Sequence, residues 1–193
     1  MQQMFPVRSN HPFRGNWMRK YRFGHLIIVE TIGKEYENTV ELITQWVLRG
    51  TFYLIAAGEW FPDHDDVRYS VFRYTNAIDE TLENLILARA RTCMQLLDML
   101  MEADKQKRPV LILDFLHLFY NPDVEITLRD RILEQCCQYT KRLSLSNPVA
   151  VLVPNLSSEE DYQRFFPILA SIADEIITVE EKFKKDASQG LLF

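Results

Sequence analysis

The stretch LIIVETIGKEYENTVELITQWVLRG, residues 26–50, decides how the chain is read. LIIVE is a short apolar, β-branched run of the kind that forms a strand covered on both faces. Gly33-Lys34 interrupts it, and over residues 38–49 Val40, Ile43, Trp46 and Val47 then recur at helical spacing. Strand, short loop and amphipathic helix is the order in which a phosphate-binding loop is built. The working form of that loop is G-x-x-x-x-G-K-[ST]. Its glycines let backbone N–H groups close on phosphate oxygens, its Lys neutralises charge, and its hydroxyl holds magnesium. With the hydroxyl set at the helix start, the frame falls on Ile32-Gly33-Lys34-Glu35-Tyr36-Glu37-Asn38-Thr39. Thr39 fits, but Ile32 and Glu37 stand where glycines are needed and Asn38 stands where the Lys is needed. Glu35 and Glu37 also bring like charge toward a polyanion, each contact costing on the order of several kcal/mol at an effective dielectric near 20. Tight triphosphate binding is therefore not expected here. Glu37-Asn38-Thr39 reads instead as a helix N-terminus, with Asn38 or Thr39 as cap.

The chain has 193 residues, enough for one full core and too few for two ordinary domains and a linker. With 47% apolar and 25% charged residues, the composition is that of a soluble globular protein. Cys93, Cys136 and Cys137 are the only cysteines, a usage that fits a reducing compartment, cytoplasmic or nuclear. No apolar run is long enough to cross a bilayer, and the first residues lack the compact apolar segment of a signal peptide. Charge is uneven. Residues 1–23 hold Arg8, Arg14, Arg19, Lys20 and Arg22 without an Asp or Glu, a charge of +5 within a net −5, so the remainder carries −10. Two units are expected on this basis, a basic arm at 1–23 and a core domain at 24–193. Such an arm either follows nucleic-acid phosphates or docks on an acidic surface of its own chain or a neighbour.

Apolar strand-like runs occur at 26–30, 51–57, 71–75 (VFRYT), 109–115 (PVLILDF), 149–155 (VAVLVPN) and 175–181. Helical periodicity fills the intervals: 38–49, a long stripe over 79–104, then 126–144 and 158–173, the last broken by Pro167. Alternating strands and helices imply an α/β fold, a mostly parallel central sheet with helices on both faces. Ligands in such sheets gather at the carboxyl ends of the strands.

In that order, RPVLILDFLHLFY, a following helix RDRILEQCCQYTKRLSLS and then NPVAVLVPN resemble the core of the RecA-like recombinase and KaiC-type ATPase family. The likeness runs from about Gly24 to Glu181 and implies a RecA-like phosphate-loop NTPase fold. Asp114 matches the Asp that ends the family's Walker B strand and positions magnesium. Asn155 matches the polar residue that senses the γ-phosphate. Glu59 lies about one residue from the place of the Glu that activates water. The connections at 121–125 and 156–162, where active recombinases hold DNA, are short and acidic here, and phosphate contact needs Lys or Arg. The resemblance together with the stripped loop implies a non-catalytic accessory protein. It would pair with a RecA-like paralogue or another subunit in DNA recombination and repair, and would need no cofactor. Phe5 or Phe13 would be the anchor that enters a neighbouring subunit.

Two other functions follow from particular residues. A divergent ATPase using Mg-ATP would rely on Lys34, Glu59, Asp114 and Asn155, with Gly33, Lys34, Asn38 and Thr39 as an unusual phosphate loop. A single-strand DNA binder would use Arg14, Arg19, Lys20 and Arg22, with Trp17 and Phe13 stacking on bases. PDHDDV (62–67) gathers hard metal ligands, but neighbours in one turn seldom converge on an ion, so no metal site is expected. His117, His25 and His11 have no catalytic partner visible in the sequence.

Overall fold

The computed structural model describes residues 23–32, 35–58, 61–156 and 158–180, with side chains at 35–38 and 180 left aside. In chain order these are β1 (Leu26–Ile32), α1 (Glu35–Val47), β2 (Phe52–Ala56), α2 (His64–Phe72), α3 (Ile78–Leu82), β3 (Leu85–Arg89), α4 (Cys93–Gln106), β4 (Val110–Leu113), α5 (Ile126–Ser146), β5 (Val149–Pro154), α6 (Glu160–Ala170) and β6 (Glu175–Glu180). Residues 1–22 of the basic arm lie outside the described residues.

Six parallel strands form one sheet in the order β3-β2-β4-β5-β1-β6. Alternation along each strand feeds two cores. Leu26 and Ile28 of β1 join Tyr53, Ile55, Val110, Ile112, Val149 and Val151 against α4, α5 and α6. Ile27 and Val29 join Leu54, Leu111, Leu113 and Leu152 against Leu42, Ile43, Trp46 and Val47 of α1 and Val67 and Val71 of α2. Both sets are needed because a parallel sheet is covered on both sides, so β1, β2, β4 and β5 read as continuous apolar runs.

The two-layer cover follows from the path of the chain. From β1 to β2 to β3 it steps outward in one direction. From β3 to β4, β5 and β6 it steps back in the other. Crossovers of one hand place the outward helices on one face and the returning helices on the opposite face. Neighbouring strands whose helices depart to opposite faces therefore leave a crevice at their carboxyl ends. That happens between β1 and β5 and again between β2 and its neighbours β3 and β4.

Two segments differ from the sequence reading. The apolar stripe over 79–104 is two helices separated by a strand, α3, β3 and α4, instead of one long helix. Thr92 caps α4, its Oγ1 accepting from Gln95 N at 3.2 Å, while Gln95 Oε1 accepts from Arg91 N at 2.8 Å. This close relative of a capping box restarts the chain as a helix just after β3. VFRYT is the end of α2 and its following turn instead of a strand. Asp63 caps α2 by accepting from Asp65 N, and Val67, Ser70 and Val71 are buried at helical spacing, which overrides the β propensity of the segment.

Candidate functional site

The β1–α1 corner is tighter than a phosphate loop. Ile32 ends the strand and Glu35 begins the helix, leaving two positions between them. A phosphate loop cradles its ligand with the glycine-rich stretch ahead of its Lys, yet here the frame from Glu35 to Thr39 is already helical. Asn38 and Thr39 are accordingly the fourth and fifth residues of α1, not its caps. Thr39 is fully buried within the sheet-facing layer. Gly33, Lys34 and Glu59 lie outside the described residues, as do Phe5, Phe13, Arg14, Trp17, Arg19, Lys20 and Arg22.

At the carboxyl ends of β1, β5 and β6 the chain supplies an anion of its own. Glu30, near the end of β1, accepts through Oε1 from Asn155 Nδ2 at 2.7 Å and from the Tyr162 hydroxyl of α6. Its Oε2 accepts from Thr178 Oγ1 of β6 at 3.1 Å. Burial first, and then the hydrogen bond and charge of Glu30, push the Tyr162 phenol well above its ordinary range, so it remains a donor. Asn155 is held on its backbone side as well, its N–H donating to Thr31 O at 2.8 Å. The amide expected to sense a γ-phosphate is thus turned toward Glu30. Nothing local in the sequence marks Glu30, because its partners lie 125 to 148 residues away.

Asp114 sits just past β4 with φ +54°, a left-handed conformation that Asp tolerates better than most residues. Its N–H donates to Leu152 O and its carbonyl accepts from His117 N. The carboxylate packs on Gly58: a methyl carbon placed there would lie 2.4 Å from Asp114 Oδ2. His117 Nδ1 stands 3.4 Å from the same oxygen, a contact that the sequence did not mark. Burial raises the Asp114 carboxyl above its usual range, and the nearby His117 pulls it partly back. A buried acid held against an imidazole is an arrangement that orients one ring nitrogen and leaves the other to face outward.

Beside this pair a cavity of about 650 Å³ opens at the carboxyl ends of β2, β3 and β4. Gly58, Arg89, Arg91, Thr92, His117 and Tyr120 are among its lining residues. Tyr120 in that lining continues into a ladder of rings through Phe165, Phe119 and Phe115, with successive centroids 6.1 to 6.4 Å apart. Arg129, nearly buried, ties that ladder to α5 by donating to Phe119 O at 2.9 Å and lying over the Phe165 ring.

PDHDDV is the capped start of α2, and no group of three or more metal-ligating side chains converges among the described residues. His25 Nε2 approaches Glu175 Oε2 at 3.4 Å, a contact between β6 and the entry to β1. No described helix is long and apolar enough to cross a membrane. No protein-family model matches the chain, and no curated protein is significantly similar to it in sequence.

Proposed function

We propose that this chain is a RecA-like protein that has lost nucleotide chemistry and acts as an accessory subunit, through protein contacts, in DNA recombination and repair. The observation that carries the reading is the β1–α1 corner, where two residues join strand to helix and Glu30 occupies the end of the strand with its own carboxylate. A phosphate placed there meets a fixed negative charge and finds Asn155 and Tyr162 already donating elsewhere.

The strand order supports the RecA-like part. β1 lies between β5 and β6, whereas dinucleotide-binding and flavodoxin-like sheets put their first strand beside the second. Those two common alternatives do not fit. The retained Asp114 at the end of β4 and Asn155 after β5 support it as well. Protein contact as the mode of action is supported by the β3 end of the sheet, an unpaired edge carrying exposed Leu87, with Tyr69 and Phe72 exposed on α2 and Met94 on α4.

Cross-linking and co-purification from the native cell tests the proposal. A RecA-like ATPase recovered with the chain, and lost when Leu87 is changed to Asp, is the expected result. Recovery of the chain alone under cross-linking opposes it. The divergent ATPase reading is separated by Mg-ATP hydrolysis that disappears with Lys34→Ala. Single-strand DNA binding by the arm is separated by a salt-sensitive affinity that disappears when residues 1–23 are removed.

A further inference from the structure

Among the described residues, the lining of the 650 Å³ cavity carries an excess of donors and cations. Arg89 and Arg91 both face it, and among the described residues neither is paired with a carboxylate. The Arg89 guanidinium lies 5.7 Å from the Phe61 ring centroid, a contact that steadies its long stem while leaving the N–H fork unfilled. Tyr120 contributes a hydroxyl whose oxygen is buried and has no hydrogen-bond partner among the described residues. Burial, with Asp114 and Asp161 adding to it, holds that phenol far above its ordinary range, so it stays protonated. His117 and Asn121 add further polar groups to the wall. The cavity also meets the start of α4, whose first turn has no acidic residue and whose first amides have no acceptor within the helix. Among the described residues no Asp or Glu lines the cavity.

These groups share one unmet need, several acceptor oxygens on one small centre. A single carboxylate satisfies one guanidinium fork. A phosphate satisfies two forks and still presents an oxygen to a hydroxyl. The volume is that of a pocket for a small molecule of nucleotide size, and its concave form matches an end-on phosphate better than a continuous strand. We infer that this cavity binds the phosphate of a small phosphomonoester, with Arg89 and Arg91 as the principal contacts and the Tyr120 hydroxyl as a further donor. The site is separate from the β1–α1 corner and does not depend on the proposed accessory function.

The test uses the full chain at about 150 mM salt, near the physiological screening regime. Inorganic phosphate, 5′-AMP, adenosine and a single-stranded oligonucleotide are titrated by calorimetry, and amide chemical shifts are followed by NMR. Phosphate and 5′-AMP are expected to bind and adenosine not to, with shifts concentrated at Arg91, Thr92 and Cys93. Arg91→Ala and Arg89→Ala, both surface changes, are each expected to weaken 5′-AMP by about tenfold or more. Tyr120→Phe should weaken it less. Lys34→Ala should leave it unchanged, which separates this site from any nucleotide held at the β1 corner. Absence of phosphate binding overturns the inference. So does binding indifferent to both arginine changes, or binding of the oligonucleotide alone.

Discussion

Replacing Gly58 by alanine would place a methyl carbon 2.4 Å from Asp114 Oδ2, with Cγ at 3.2 Å and Cβ at 3.4 Å. Ordinary contact begins near 3.4 Å, so Asp114 must retreat by about 1 Å. It has little room to do so. Its N–H is fixed to Leu152 O and its carbonyl to His117 N, and rotation of the carboxylate breaks its approach to His117. Gly58 is not in the left-handed region, so backbone strain adds nothing and the penalty is one of overpacking. Such penalties run to about 1–3 kcal/mol. For a chain of this size that corresponds to a fall in Tm of roughly 2–12 °C. Urea unfolding followed by circular dichroism measures it, in a double-mutant cycle with Asp114→Gly, which removes the obstructing carboxylate and suits φ +54°. Gly58→Ala should cost less than about 0.5 kcal/mol in that background. An equal penalty in both backgrounds, or none in the native chain, refutes the packing argument.

Glu30→Ala leaves the Tyr162 hydroxyl and the Asn155 amide without their acceptor and should destabilise by about 2–3 kcal/mol in chemical denaturation. Glu30→Gln should recover only part of the loss, since its amide cannot accept from all three donors. Asp114→Asn should raise Tm at neutral pH. Burial holds the Asp114 proton more tightly in the folded chain than in the unfolded one, so the native protein loses stability as pH rises above the ordinary Asp range, and a neutral amide does not. The Tm difference between Asp114→Asn and the native chain should therefore shrink toward pH 4, and thermal scans across pH check the trend. Burial pushes the Cys137 thiol up to about 12 and Cys136 higher still, so a thiol reagent at pH 8 should label neither until the chain is unfolded.

The sheet was largely legible because burial on both faces writes strands as unbroken apolar runs, as in β1, β2, β4 and β5, while β6, a partly exposed edge strand, still stood out through Ile176, Ile177 and Val179. β3 did not, for a physical reason. It is an edge strand with only partial burial, and Leu85-Ile86-Leu87 continues the helical spacing begun by Leu82. The Thr92 and Gln95 pair was the signal that separates it from α4. In the β1 corner, loss of glycines and of the Lys was visible in the frame. The short connection was not, because a helix start at Glu35 instead of Asn38 depends on how β1 ends against β5 and β6. Contacts that join distant parts of the chain were hidden altogether: Glu30 with Tyr162 and Thr178, and Asp114 with Gly58. Arg89 and Arg91 carried no motif. Their meeting with Tyr120 comes from the order β3-β2-β4, which brings three strand ends to one cavity.

The central claim is that the corner between β1 and α1 does not hold nucleotide phosphates. Calorimetric titration of Mg-ATP into the chain carrying Arg89→Ala and Arg91→Ala tests it most directly, since that background silences the separate cavity. No saturable heat up to millimolar nucleotide is the expected result. Micromolar binding that vanishes on adding Lys34→Ala would contradict it.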